Sequence, residues 1–539
     1  MSGKNIVLCS DGTGNTAIKA RGTNVFKLYE AVDIQGHKHD PTLKPQVAFY
    51  DDGVGTSKLA PLKLIGGAFG HGFEKNVKDL YKELVHVYEP GDHIYLFGFS
   101  RGAYTVRALS GFIQSCGILK NREGGNESLD QRIEKCWKDF REGAFEGRLK
   151  GDSRLSDQET DDAYETAIEF IGAWDTVGAV GMPFEELRKL VNWFYPMRFS
   201  ELKPSRCVKR ACHALSIDDD RLTFRPELWN EEDIPDSQQV KQVWFAGVHS
   251  NVGGGYVKHG MSLVALEWMM AEAEMSAKED YDRLRFIKID REYVHTHQDV
   301  HDKLYDARAS LGVYYRWEPR NIAKLCEIHH MGLPKIHVSV FERIANNTDA
   351  YAPISIPDKV KVVGTNGTRP WPSKVLIDEI NKQIAHDKKV EGGNLVDNNK
   401  LRKNQESHQS LLERMRVDVM LGKMSYYTFV AVSVLVIVSI YVLWRFPQIV
   451  NAFAQWCPYP FVVIGGIYAC IGGLIWYWAY KVDKKMESTA KKHWQCYRKA
   501  LRDLFMNGRM QRTSEAVDET TLAVVPELEK QDAHNLAGC

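Results

Sequence analysis

Short, almost continuous apolar runs recur along the first two-thirds of the chain. They are "NIVLCS" (5–10), "QVAFYDD" (46–52), "HIYLFGFS" (93–100), "AIEFIGAWD" (167–175), "VKQVWFAGVHS" (240–250) and "KIHVSVF" (335–341). Runs of this length, closed by glycine or aspartate, suit strands buried on both faces. Between them the apolar positions fall at helical spacing. In "TNVFKLYEAV" (23–32), Phe26, Tyr29 and Val32 share a face, with Thr23 or Asn24 as N-cap. In "FEKNVKDLYKELVHVY" (73–88), Val77, Leu80, Tyr81, Leu84 and Tyr88 do the same. Alternating strand and helix predict an α/β domain with a mostly parallel sheet over residues 1–360. Helical insertions interrupt it at 120–165 and 183–205. The second, "FEELRKLVNWFYPMRF", reads either as a lid over a hydrophobic substrate or as a helix packed on the sheet.

The pattern changes after residue 360. Residues 361–424 are polar and read as a linker with one helix near its end. "SYYTFVAVSVLVIVSIYVLWRF" (425–446) then carries no charge before Arg445, enough to span a bilayer core of ~30 Å. A second apolar run, 459–480, follows a short connector, and together they predict a transmembrane hairpin over 425–480. Gly465, Gly466, Gly472 and Gly473 would allow close helix packing, and Trp444, Trp456, Tyr459, Trp476 and Trp478 lie near the run ends as interfacial belts require. Arg414, Arg416 and Lys423 precede the hairpin, and Lys481, Lys484, Lys485, Lys491 and Lys492 follow it. The positive-inside rule puts both flanks, catalytic domain and C-terminus, in the cytoplasm. Residues 481–512 read as an amphipathic helix, lying on the membrane surface or self-associating into a homo-oligomer. Residues 513–539 read as a disordered tail.

Composition narrows the function classes. With 70 basic and 70 acidic residues the formal charge is zero, which argues against a nucleic-acid binder. The ten cysteines form no C-x-x-C pair and read as reduced thiols, and Cys207, Cys212 and His213 fit no zinc spacing. The N-terminus runs straight into a strand without a signal-peptide pattern, so Sec-dependent export is not expected.

The chemistry is carried by "GFSRG" at 98–102, a match to the G-x-S-x-G nucleophile elbow between the apolar run "IYLFGF" and the helical "AYTVRALSGFI". Glycines two before and two after Ser100 remove the Cβ atoms that would clash in a sharp strand-to-helix turn. The serine hydroxyl is then exposed at the carboxyl edge of the sheet. A serine needs a base held by a carboxylate, here in the order Ser, acid, His. Asp175 closes one predicted strand and His249 another, which gives Ser100–Asp175–His249. Asp218, Asp219 and Asp220 compete for the acid, and His213 and His259 for the base. The backbone amide of Arg101, and those of Gly12 and Thr13 in the turn "CSDGTGN", are candidate oxyanion donors. Asp11 in the same turn would suit a phosphate or metal site, but the rest of such a site is missing from the sequence.

The ordered set "DGTGN", "YDDGVGT", "GDHIYLFGFSRGAYTVRAL", "FIGAWDTVGAVG", "HALSIDDDRLTFRPELW", "VWFAGVHSNVGGGY" and "KIHVSVFERI…YAPISIP" resembles the α/β-hydrolase family, formerly a domain of unknown function, that includes the class-one type VI secretion lipase effectors. The resemblance spans residues 4–356. It implies a serine esterase acting on phospholipid acyl esters, phospholipase A-like, with an antibacterial or defence role. Ser100 would be its nucleophile, Asp175 its acid and His249 its base, with no metal or organic cofactor. The resemblance does not cover the hairpin and tail. An esterase acting on a non-lipid acyl ester, a membrane-tethered interaction scaffold with little turnover, and helices that themselves perturb the bilayer are the alternative readings.

Overall fold

The structure is a computed structural model. It describes residues 3–12, 22–53, 68–121, 127–141, 163–164, 167–178, 203–234, 239–277, 279–309, 315, 317–357, 360–364, 367–369, 398–446, 448 and 460–506. The expected lid segment 183–202, the connector 449–459, Thr13 and the tail 513–539 lie outside the described residues.

Nine strands form one sheet: β1 (Asn5–Ser10), β2 (Gln46–Asp51), β3 (His93–Phe99), β4 (Ile168–Trp174), β5 (Val208–Ser216), β6 (Gln239–Phe245), β7 (Lys335–His337), β8 (Lys361–Gly364) and β9 (Gly367–Arg369). The order across the sheet is β9-β8-β7-β6-β5-β4-β3-β1-β2. All pairings are parallel except β8 with β9, so the carboxyl ends of eight strands share one edge. Crevices at that edge are where α/β sheets bind ligands.

Side chains alternate across each strand, and both faces are covered. Ile6, Leu8, Ile94, Leu96, Ile171 and Ala211 face α2 (Ala68–Val87), α3 (Arg101–Cys116) and α4 (Leu129–Arg141). Val7, Cys9, Tyr95, Phe97, Phe170 and Cys212 face α1 (Asn24–Ala31) and α6 (Gly260–Glu274), with α5 (His249–Gly253) preceding α6. Burial on two sides is why β1, β3 and β4 are apolar almost throughout. Thr23 caps α1, its hydroxyl accepting from the Phe26 amide at 3.2 Å.

Some elements differ from the sequence reading. β5, between Asp175 and His249, is a strand that the apolar runs do not mark. "KIHVSVF" is strand only to His337 and continues as α7 (Val338–Ala345). The sheet runs on to Arg369, past the expected domain end at 360. The helix expected late in the linker and the first apolar run form one helix, α8 (Asn398–Arg445), and the second run continues through the expected amphipathic segment as α9 (Pro460–Met506).

Within α8, Val419–Val442 is long and apolar enough to cross a membrane, the one such span among the described residues. α8 and α9 lie side by side, with Ser439 Oγ and Tyr468 OH 2.6 Å apart. The glycines of α9 do not make this contact: a Cβ at Gly465, Gly466, Gly472 or Gly473 would meet open space. Both helices return to the α/β domain. A Cβ at Gly422 would stand 2.5 Å from the Trp317 ring, and Lys423 Nζ pairs with Glu318 at 3.1 Å. At the far end of α9, Trp494, Tyr497 and Leu501 enter an apolar cluster with Ile336, Phe341, Ile344 and Tyr351.

Candidate active site

β3 ends at Phe99, and the chain turns at once into α3. Ser100, the hinge, has φ 58° and ψ −120°, a region that side-chain-bearing residues rarely occupy. Two close approaches explain the flanking glycines. A Cβ at Gly98 would lie 2.5 Å from the Gly102 carbonyl oxygen, and one at Gly102 would lie 2.0 Å from the Ser10 carbonyl oxygen of the neighbouring strand. Neither could be relieved by rotating a side chain.

Asp175 leaves the adjacent strand β4 with φ 38°, a second non-glycine residue in the left-handed region. The two turns are bonded together: Ser100 N–H donates to the Trp174 carbonyl at 3.0 Å, and Val177 N–H donates to the Ser100 carbonyl at 3.3 Å. His249 begins α5, beyond the end of β6, where the sequence reading placed it on the strand. Its Nδ1–H donates to Asp175 Oδ2 at 2.6 Å. The imidazole packs against Phe99, the residue before Ser100, at a ring separation of 4.6 Å. Gly253, one turn further along, gives Phe99 its place, since a Cβ there would fall 2.0 Å from that ring. The structure therefore brings Ser100, Asp175 and His249 together from three strand ends.

Unlike the exposed hydroxyl the elbow pattern suggests, Ser100 is only 6% exposed, with His249 at 5% and Asp175 at 0%. Phe224 stands edge-on to His249 at 5.1 Å, and Tyr315 edge-on to Phe224 at 5.6 Å. Burial lowers the His249 pKa, against the raising effect of the Asp175 hydrogen bond and charge, so the ring is neutral at pH 7 and can accept a proton. Burial alone would raise the Asp175 pKa; the Arg320 and His249 contacts overcome it and hold the carboxylate ionised.

The competing residues have other partners. Asp218 accepts from Gly247 N–H at 2.6 Å and Tyr351 OH at 2.7 Å, and so ties two loops together. Asp219 pairs with Arg221 at 2.6 Å and accepts the backbone N–H of His249 at 3.1 Å, which seats α5. The backbone carbonyl of Asp220 accepts from Glu318 N–H, and burial raises its own side chain to about 7. His259 caps α6 and lies near Tyr293, with Nε2 to OH at 3.4 Å. Asp11 accepts from Gly12 N–H at 2.6 Å, Thr23 Oγ1 at 2.5 Å and Tyr50 OH at 2.7 Å. The Gly12 amide is thus directed at its own neighbour, and of the two described candidate oxyanion donors it is the Arg101 amide that opens a helix beside Ser100.

His213 is fully buried on β5. Its Nε2 accepts Thr176 N–H at 3.1 Å and its Nδ1 lies 3.3 Å from Gln242 Oε1. Burial, followed by the nearby Arg107 charge, lowers its pKa to about 3. The folded state therefore resists protonating His213, and stability falls as pH drops from the unfolded value of about 6.5 towards 3, by up to about 1.4 kcal/mol per pH unit. Denaturant unfolding of wild type and His213→Gln between pH 7 and pH 4 is expected to show a shallower loss in the variant. Equal slopes would remove His213 from the account of acid sensitivity.

Arg320 is the residue that sequence reasoning missed. It is 3% exposed, and its guanidinium grips both oxygens of Asp175, at 2.6 and 2.9 Å. Nothing in "YRWEPRN" distinguishes it from a surface arginine.

Residues 4–272 match the T6SS phospholipase effector Tle1-like catalytic domain. An uncharacterized protein of Saccharomyces cerevisiae, YEL023C, is 27% identical over 243 residues, 42% of this chain and 32% of that protein. The chain thus spans about a third of the length of this curated relative. An uncharacterized protein from Pseudomonas aeruginosa, known from its crystal structure, is 19% identical with a TM-score of 0.33, covering 55% of this chain and 49% of that one. Over residues 4–272, with the serine elbow, Asp175 and His249 all inside that stretch, the chain belongs to the Tle1-like phospholipase effector family.

Proposed function

We propose that the chain is a membrane-anchored serine hydrolase, on an α/β-hydrolase-like sheet, that cleaves carboxylic ester bonds of phospholipids in the manner of a phospholipase A. The observation that carries this reading is the 2.6 Å hydrogen bond from His249 to Asp175 beside the strained backbone of Ser100. Family membership supports lipid esters as substrate, and it alone suggests an antibacterial or defence effector.

Ser100 Oγ attacks the ester carbonyl while His249 takes its proton through Nε2. Asp175 holds Nδ1–H and stabilises the imidazolium that forms. The Arg101 amide donates to the oxyanion, where a single donor is worth about 10²–10³ in rate. The protonated histidine passes its proton to the leaving alcohol. Water, activated by the same imidazole, then releases the fatty acid.

In this reading α8 and α9 cross the bilayer as a hairpin, with the catalytic domain on the cytoplasmic side. Gly422 and Lys423 before the hairpin and Trp494 after it touch the same folded domain, which favours an even number of crossings. The lysines on both flanks favour the cytoplasmic orientation. Anchoring holds the site beside its substrate and raises effective concentration without a new contact.

The test is fatty-acid release from mixed phospholipid vesicles before and after titration with a fluorophosphonate. One equivalent of label on Ser100, located by mass spectrometry, is expected to stop release. Label on another residue, or release that survives a full Ser100 adduct, would sink the mechanism. A folded protein that releases nothing from vesicles but cleaves p-nitrophenyl esters would point to a non-lipid ester. Silence on both substrates would point to the scaffold.

A further inference from the structure

The carboxylate of Asp175 does not face His249 alone. Oδ1 accepts from Ser216 N–H at 3.0 Å and Arg320 Nη1 at 2.6 Å. Oδ2 accepts from His249 Nδ1 at 2.6 Å, Arg320 Nη2 at 2.9 Å and Ser216 Oγ at 3.1 Å. Arg320 is itself pinned, with Nη1 donating to the Ser216 carbonyl at 2.6 Å and Nη2 to the Phe224 carbonyl at 2.7 Å. Such a planar two-pronged grip fixes orientation as well as distance. Turning the carboxylate about its last torsion would break both prongs at once.

Resting on the serine-hydrolase reading, we propose that Arg320 is a positioning residue: its fork sets the plane of the Asp175 carboxylate and, through it, the aim of the His249 ring at Ser100. Two consequences separate this from a merely structural ion pair. The fork governs how well His249 is aimed, so its loss lowers turnover more than substrate binding. Its positive charge also offsets the Asp175 charge that favours imidazolium, so its loss raises the pH at which His249 becomes protonated and inactive. The other charged groups around the ring are Asp219, whose carboxylate reaches the His249 amide, and Arg221. Both remain in the variants below.

Arg320 lies outside the family-matched residues 4–272 and arrives on the segment that also holds Tyr315 against Phe224. Trp317 and Glu318 of the same segment receive Gly422 and Lys423 of α8. The clamp on the catalytic acid is thus mounted where the long helix meets the domain.

The experiment compares wild type, Arg320→Met and Arg320→Lys by kcat, KM and pH profile of fatty-acid release, with fluorophosphonate labelling rates as a substrate-independent readout. Arg320→Met is expected to lose about 10²-fold in kcat with little change in KM, and its acid limb should move to higher pH. Arg320→Lys, which keeps the charge and loses the fork, is expected to restore the acid limb and only part of the rate. A wild-type kcat and acid limb in Arg320→Met would overturn the proposal, as would equal losses in both variants with no movement of the limb. If Arg320→Met does not fold, labelling of Arg320→Lys decides: a wild-type rate overturns the role, and a slowed rate with an unmoved limb supports it. Ser100→Ala serves as the separate control. Label and activity that persist in it would overturn the serine reading itself, whatever Arg320 does.

Discussion

Ser100→Ala is expected to lower fatty-acid release by on the order of 10⁶-fold, the cost of deleting the nucleophile from a working triad. The fold should survive, because Oγ carries the chemistry whereas the turn is set by Gly98, Gly102 and the backbone bonds to Trp174 and Val177. The same residue gives a second, opposite readout. At φ 58° and ψ −120° a Cβ is strained, at a cost of roughly 1–3 kcal/mol that alanine retains and glycine escapes. Ser100→Gly should therefore be as inactive as Ser100→Ala and more stable than wild type by about 1 kcal/mol. Thermal melts beside the release assay check both. Stability lost in Ser100→Gly would mean that the turn carries no such strain. Release that persists in Ser100→Ala would mean that another residue attacks the ester.

This strain is also why the elbow was legible in the sequence. A turn that brings one strand end within 2.0 Å of a would-be Cβ leaves glycine as its only solution, and such local steric rules print directly into residue identity. Asp175 and His249 were legible for a related reason: apolar runs buried on both faces end abruptly, and the polar residue just past the end sits at the carboxyl edge. β5 was not legible, since Lys209, Arg210 and His213 break its apolar run. Those polar side chains find partners in Glu169, Glu272 and Thr176, which come from distant parts of the chain. Arg320 was hidden in the same way. A buried cation is defined by the carboxylate it meets, here 145 residues away in sequence. The fate of residues 481–512 shows a different limit. Trp494, Tyr497 and Leu501 give one apolar face whether they lie on lipid or dock into a protein, so periodicity alone cannot choose between the two.

That docking leads to the other large effect expected here. Deleting residues 425–539, the direct way to free the catalytic domain from its hairpin, is expected to yield an aggregating protein instead of a soluble enzyme. Trp494 at 2%, Tyr497 at 5% and Leu501 at 0% exposure are part of the core around α7, and Trp494 Nε1–H donates to the Pro353 carbonyl at 2.8 Å. Burying three such side chains contributes about 5–9 kcal/mol, comparable with the whole stability of a typical domain. The deletion also bares their partners Ile336, Phe341 and Ile344 to water. A chain in which only 425–480 is replaced by a flexible polar linker keeps the docked end of α9. It is expected to be soluble, to cleave p-nitrophenyl esters and to lose most of its release from vesicles. Size-exclusion chromatography and the two substrates distinguish the pair. If the 425–539 deletion elutes as a folded monomer with wild-type esterase activity, α9 is an anchor alone and its end contributes nothing to the domain. If both chains aggregate, residues 425–480, with the buried Tyr426 and Ile475, are needed too, and the hairpin is as much a part of the catalytic fold as the sheet.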